Sequence, residues 1–324
     1  MFSKKHQESK LVLITSNIRN VRHKWVLNIF LILVLTFLSS CSDKDNTYSN
    51  LTVSKNLSEQ EQQIEQNFIK YLQNDPQGAI ALYRKTFPKI IDTDKARELS
   101  EDYNPQNVSK DANIIARSKW SSAVFKPAGT LAFEVYKEAL EEGPSTPDSY
   151  IVFMAGGAGS GKTTSTDSHP KTKRVKDGAQ FIYDTTLSNE IASRERIRMA
   201  IVKGFKVRII YVYRDPIQSF VNGALSRAND EGRTMSLDGF INTHINAPKS
   251  LVSIMNTYGN GDIVKAQVLD NNYGKRNSKL RDLEFFQNLD SISREKLKKA
   301  LLKILEKSHN NGQTSDIVFK AFNR

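Results

Sequence analysis

The chain is 324 residues long, with a formal net charge of +12, one cysteine and five histidines. A single cysteine excludes an intrachain disulfide and a cysteine-built metal site, and the scattered histidines offer no H-x-x-x-H pair. The positive charge suits an anionic ligand or a membrane surface. No recognition-helix or aromatic-platform pattern accompanies it, so nucleic acid is not expected as a partner.

Residues 4–24 carry Lys4, Lys5, Lys10, Arg19, Arg22 and Lys24 against one acid, Glu8. The apolar run Trp25 to Leu38 follows, then Leu38-Ser39-Ser40-Cys41. A basic segment, an apolar segment and small residues before a cut form an export signal. The run is shorter than the ~20 residues of a spanning helix. Its end resembles a bacterial lipobox, in which Cys41 is lipidated and becomes the mature N-terminus. A plain signal peptide and an uncleaved anchor are the alternatives, but the sole cysteine stands at the one position the pattern needs. Residues 1–40 are expected to be the signal. They hold six Lys/Arg and one Glu, so +7 of the +12 remains on residues 41–324. Ser42 points to the outer membrane of the cell envelope rather than inner-membrane retention. Residues 41–58 are polar and aperiodic, as a flexible tether would be.

Helical signals begin at Ser58-Glu59-Gln60-Glu61, a capping box followed by Ile64, Phe68, Ile69 and Leu72 at helical spacing. Residues 78–87, 94–101 and 127–142 read as further helices, so 59–148 is expected as a small all-helical region. Gly143-Pro144-Ser145-Thr146-Pro147 ends it.

From Ser149 the pattern alternates strand and helix: strand 150–155, a helix that cannot pass Pro170, strand 180–183, helix 188–203, strand 205–213, a helix from Pro216, helix 237–258 and strand 264–269. This predicts an α/β fold over 149–275, a parallel sheet with helices on both faces and ligand at the strand C-termini. Residues 276–310 read as amphipathic helix within a C-terminal segment, 276–324.

The first of these strands enters Gly156-Gly157-Ala158-Gly159-Ser160-Gly161-Lys162-Thr163-Thr164, which fits G-x-x-x-x-G-K-[ST] between strand and helix. The glycines let backbone N–H groups turn inward onto phosphate oxygens, Lys162 reaches the β- and γ-phosphates, and the Thr163 hydroxyl can ligate Mg²⁺. ATP with Mg²⁺ is the expected cofactor pair. A carboxylate beside the metal is expected at a strand end, and Asp184 in Phe181-Ile182-Tyr183-Asp184 supplies it, unless it only caps the next helix. Asp215 and Asp270 are weaker candidates. Arg227-Ala228-Asn229-Asp230-Glu231-Gly232-Arg233 reads as a polar lid loop whose Arg227 and Arg233 would close on phosphates, with solvated surface arginines as the alternative. Arg214 is a third candidate. Lys171, Lys173, Arg174 and Lys176 would attract an anionic substrate or stand solvated. No guanine-reading Asn/Thr-Lys-x-Asp element occurs, which argues against a GTPase.

These residues resemble the zeta-toxin family of P-loop kinases over about 150–275. The likeness rests on the phosphate loop, on Tyr183-Asp184-Thr185-Thr186-Leu187-Ser188-Asn189, on Lys203-Gly204-Phe205-Lys206-Val207, and on Arg227 and Arg233 at the places of the family's lid arginines. The resemblance implies transfer of the ATP γ-phosphate to a sugar hydroxyl of a nucleotide sugar such as UDP-N-acetylglucosamine, with an aspartate base. The family carries that base in a long interval after the loop lysine; here only 21 residues separate Lys162 from Asp184, and no Asp-x-Asp-like element lies between Thr166 and Gln180. Either Asp184 doubles as base and metal-side carboxylate, or the substrate differs. The region around Ala96 to Tyr103 is a candidate for the absent substrate wall. A lipid-anchored nucleotide- or phosphoanion-binding protein without turnover is the alternative, favoured by the absent base and the export signal. An antitoxin or immunity partner is not specified by the sequence.

Overall fold

The computed structural model describes residues 47–274, 276–288 and 293–324. The signal segment and Cys41 lie outside the described residues. Among the described residues no helix is long and apolar enough to cross a membrane.

Helix α1, Glu59–Asn74, starts at Ser58 with both arms of the capping box formed. Asp75 then caps α2, Pro76–Thr86. Strand β1, Ile90–Asp92, leads into α3, Thr93–Arg97, which is followed by α4, Lys110–Trp120, and α5, Phe125–Glu141. Strand β2, Tyr150–Ala155, feeds α6, Lys162–Ser168; Pro170 stops it and opens α7, Pro170–Asp177. Next come β3, Phe181–Asp184, α8, Glu190–Val202, and β4, Lys206–Tyr213. Helix α9, Pro216–Ser219, passes through a π-helical turn, Phe220–Leu225, into α10, Ser226–Glu231. Helix α11, Leu237–Tyr258, and strands β5, Val264–Asp270, and β6, Lys279–Arg281, precede a 3₁₀ turn at Leu283–Asn288, α12, Arg294–Asn310, and α13, Asp316–Phe322.

The six strands form one sheet in the order β1-β3-β2-β4-β5-β6. All neighbours are parallel except β5 and β6. The alternation of side chains along β2 explains the two covered faces. Ile151, Phe153 and Ala155 join Tyr136 of α5, Ile197 of α8 and Leu251 of α11 in one core. Val152 and Met154 join Ile182, Ile210 and Leu269 on the opposite face. A third apolar cluster, built by Phe220, Phe240, Leu297, Leu301 and Phe322, lies beneath the arginine-bearing helix.

Three expectations need correction. The region 59–148 is not all-helical: β1 hydrogen-bonds to β3 in the main sheet, with Ile90 opposite Ile182 and Asp92 opposite Asp184. A three-residue strand is too short to show an alternation in sequence. The part of the tether from residue 47 is packed: Tyr48 is 2% exposed, and Ser54 bonds Glu65 through its N–H and hydroxyl. The segment from residue 276 is not one continuous helix, since Lys279–Arg281 adds an antiparallel edge strand, Leu283–Asn288 is a 3₁₀ turn and the α-helix starts at Arg294.

Candidate functional site

Strand β2 delivers the loop Gly156–Gly161, and α6 begins at Lys162 with Gly161 in the left-handed region, φ 83°. Gly156 and Gly159 also have positive φ, 131° and 73°, so the backbone can curl only because these positions lack a Cβ. Close approach adds to the demand. A side chain on Gly156 would collide with the Val212 carbonyl, and one on Gly159 with the Ser219 carbonyl. The π-helical turn brings Gly223 so near that its own Cβ would fall on the Gly159 backbone.

Lys162 Nζ lies 3.4 Å from Asp184 Oδ1, with both side chains 18% exposed. Asp184 sits at the β3 C-terminus, in register with Met154 of β2. The loop lysine and the strand-end carboxylate thus stand side by side. Thr163 and Thr164 are exposed at the start of α6. Thr185 and Thr186 turn inward on the local chain: Thr185 Oγ1 accepts from Leu187 N, and Thr186 Oγ1 from Ser188 N. Asp215 is a helix cap that accepts from Gln218 N at 2.9 Å, and Asp270 is buried against Arg281. Neither belongs to the cluster around Lys162.

The sequence reasoning missed two carboxylates, Asp92 at the end of β1 and Asp94 in the first turn of α3. Asp92-Thr93-Asp94 is an Asp-x-Asp element, and it precedes the phosphate loop in the chain instead of following it. Asp92 lies in the strand register position opposite Asp184. Its Oδ1 accepts from Asp94 N at 2.9 Å, which caps α3. Burial, then the charges of Asp94 and Asp184, push the Asp92 carboxyl up to about 7. Asp94 points toward the arginines, bonding Arg97 at 3.2 Å and forming an ion pair with Arg233. Burial alone would raise Asp94, but Arg97 and Arg233 outweigh it and hold the carboxyl below the usual range. The signal for this pair is the Asp-x-Asp spacing itself, which stands before the phosphate loop and outside the interval between Lys162 and Asp184.

Arg227 does not lie on a loop but on α10, while Arg233 stands in the connection that follows it, as expected. The helix from Pro216 continues through the π turn to Glu231, and Gly232, φ 69°, terminates it. The polar composition of 227–231 is the solvent face of α10, while Ala228 and Leu225 face the third core. Nor does the segment stand open. A side chain on Gly232 would collide with the Ile114 carbonyl of α4, and Ser121 Oγ donates to Thr234 O at 2.7 Å. Arg227 donates to Gly223 O and has no carboxylate at ion-pair distance among the described residues. Burial, then repulsion from Arg233, lowers its basicity, with Asp94 and Asp184 acting in the opposite sense. Arg233 moves the other way, because Asp94 outweighs its burial. The Nε of Arg214 is buried and unpaired at the end of β4. Lys173 and Lys176 are spent on ion pairs with Asp177 and Asp167.

The residues fit a Mg²⁺–triphosphate. Magnesium takes one or two carboxylates and fills its remaining positions with phosphate oxygens and water. Thr163, Asp184 and the charge-burdened Asp92 meet that need. Among the described residues no cluster of three or more His, Cys, Asp or Glu side chains could hold a metal by itself.

A structure from work on the PezAT chromosomal toxin–antitoxin system of Streptococcus pneumoniae is similar at 14% identity, covering 54% of this chain and 94% of that one with a TM-score of 0.29. No curated protein matches. The family model described as Zeta toxin matches residues 171–277, a span that takes in Asp184, Arg227 and Arg233, and so this part of the chain is similar to the zeta-toxin family.

Proposed function

We propose that the protein is an ATP-dependent phosphotransferase that moves the γ-phosphate to a hydroxyl of a small acceptor, of which a nucleotide sugar such as UDP-N-acetylglucosamine is the leading instance. The observation that carries this reading is the convergence of two charged groups from distant parts of the chain. Asp92 is within electrostatic reach of both Lys162 and Arg233, and Arg227 is within reach of both Asp94 and Asp184. The phosphate-loop lysine, the carboxylates of Asp92, Asp94 and Asp184 and the guanidinium groups of Arg227 and Arg233 thus gather in one charged neighbourhood.

The loop amides and Lys162 hold the β- and γ-phosphates. Thr163, Asp184 and Asp92 would hold Mg²⁺, which would supply charge neutralisation at the phosphates. Arg227, a buried cation without its own carboxylate, and Arg233 stabilise the charge on the transferring group. Asp94 is ionised and its side chain is 37% exposed, so it can take the acceptor proton once Arg233 turns to the phosphate. The acceptor oxygen bonds to the γ-phosphorus, the bond from that phosphorus to the β–γ bridging oxygen breaks, and ADP leaves.

Binding without turnover was favoured by the absent base; Asp92 and Asp94 remove that ground. We further propose that Cys41 anchors the chain at the cell envelope, with the outer membrane as the site that Ser42 suggests. An antitoxin partner is proposed only by analogy with the toxin–antitoxin system named above. The test uses residues 42–324 and Lys162→Ala with Mg²⁺, γ-labelled ATP and a pool of nucleotide sugars. Label on a new species with wild type but not the variant supports the kinase. Saturable ATP binding with no transfer to any acceptor, or equal transfer by the variant, overturns it.

A further inference from the structure

A backbone loop cradles phosphate only while successive N–H groups face the ligand, and this sends the loop carbonyls back into the protein. A buried carbonyl needs a donor there. Two side chains from elements outside the loop provide one each. His244 Nε2 of α11 lies 2.8 Å from Ala158 O. Since a carbonyl only accepts, that nitrogen carries the proton. Asn271, just past β5, donates from Nδ2 to Ser160 O at 2.8 Å. Next to His244, Thr243 Oγ1 accepts from Ala158 N at 3.0 Å and donates to Phe240 O at 2.7 Å, so both polar groups of Ala158 are fixed by one helix turn.

These anchors are themselves held. The His244 ring lies against Phe240 with centroids 4.5 Å apart, and burial pushes its pKa down to about 4, so the ring stays neutral at physiological pH. Asn271 is 1% exposed, takes Ser278 Oγ on its Oδ1, and donates its own N–H to Tyr213 O at the end of β4. Two loop glycines match the anchors one to one. A Cβ on Gly157 would collide with the His244 ring, and a Cβ on Gly161 would stand 2.7 Å from Asn271 Nδ2. The sequence motif requires neither residue, and neither touches the crevice where phosphate would sit.

We infer that His244 and Asn271 are positioning residues that set the carbonyls of Ala158 and Ser160 toward the protein side of the loop, with Thr243 holding the Ala158 N–H on that side, and so orient the remaining loop amides for phosphate, an assignment that rests on the loop being a triphosphate cradle. Affinity for phosphate then depends on two hydrogen bonds made on the far side of the loop. A packing role alone would lower stability and leave affinity unchanged in the folded fraction.

The experiment is titration calorimetry of Mg²⁺–ADP on the purified chain 42–324, with melting temperature measured on the same samples without nucleotide. His244→Leu keeps volume and removes the donor, while His244→Gln returns an N–H donor. The expected result is ADP binding weaker by about tenfold or more in His244→Leu, the scale of a small misplacement in a preorganised site, and recovery to within about threefold in His244→Gln. Asn271→Asp, which replaces the donor with an acceptor facing Ser160 O, should weaken binding at least as much. Wild-type affinity in folded His244→Leu and Asn271→Asp, or equal losses in His244→Leu and His244→Gln, overturns the proposal. Should His244→Leu fail to fold, Asn271→Asp and Thr243→Val carry the test, with undiminished ADP affinity as the refuting result. Wild type that binds no ADP overturns the cradle itself and the anchors with it.

Discussion

Replacing Asp92 with Asn separates the stability of this protein from its chemistry. Asp92 has an ordinary pKa of 3.8 that the fold raises to about 7. An acid raised in the native state favours folding where both states are protonated, below about pH 4. That contribution is lost as pH climbs through about 7, because the unfolded chain releases the proton freely and the native chain does not. Three pKa units correspond to about 4 kcal/mol, which is a ceiling. Water reaching a partly exposed carboxylate and relaxation of Asp94 and Asp184 reduce it to about half. Asparagine keeps the oxygen that accepts from Asp94 N and discards the charge. Thermal unfolding without Mg²⁺ should show Asp92→Asn more stable than wild type at pH 8 by about 2 kcal/mol, or about 4 °C in Tm, with the gap closing by pH 4. The same variant should lose phosphotransfer by about 10²-fold, the scale for removing one preorganised charge. A variant less stable than wild type at pH 8, or a gap that ignores pH, would refute the account of Asp92 as a strained carboxylate kept for the metal.

The Asp94–Arg233 ion pair should couple in a double-mutant cycle of Asp94→Asn and Arg233→Lys by about 1–2 kcal/mol in stability, and either change should lower kcat far more than it raises the KM for ATP; additive effects on both quantities would separate the two residues. Gly223→Ala places a methyl on the Gly159 backbone, so we expect a loss of about 1–3 kcal/mol together with weakened ADP binding, read by denaturant unfolding and calorimetry; an unperturbed variant would mean the π turn does not support the loop. Mass spectrometry of the chain expressed in a bacterium should find an acylated N-terminal Cys41 in the membrane fraction, and Cys41→Ser should remove it; a soluble wild-type chain that keeps residues 1–40 contradicts lipidation.

The parts of the site legible in sequence were those where one short segment performs the whole task. Gly156 to Thr163 needs glycines, a lysine and a hydroxyl at fixed spacing, so the motif and the geometry coincide. Asp184 was legible because an apolar strand of four residues ends on it. The lid was misread for a physical reason: Arg227 to Glu231 is polar because one face of α10 meets solvent, and the helix is held by Phe220, Ala224 and Ala228 on the other face, spaced four apart. The π turn breaks the helical period at Gly223, which conceals that pattern. His244 and Asn271 carried no signal at all, since a buried His on a helix and an Asn after a strand are ordinary until the carbonyls they serve are located.

The misplaced expectation for the base exposes a more general point about sheets. Chain order and sheet order are independent wherever a crossover is long enough to pass a strand. The connection from β1 to β2 runs through α3, α4 and α5 and leaves room for β3 between the two strands. Asp92 therefore reaches Asp184 laterally, across one pair of hydrogen-bonded strands, although the phosphate-loop motif lies between them in sequence. The crossover also has work beyond spanning distance. Its α5 covers one face of the sheet through Leu131, Val135 and Tyr136, while Ser121, just past α4, bonds Thr234 behind Arg233. A segment whose composition suggests an accessory helical region thus supplies one edge strand, two carboxylates and the wall that holds an arginine. Deleting it would leave the phosphate-loop motif intact in sequence and remove Asp92, Asp94 and the wall behind Arg233.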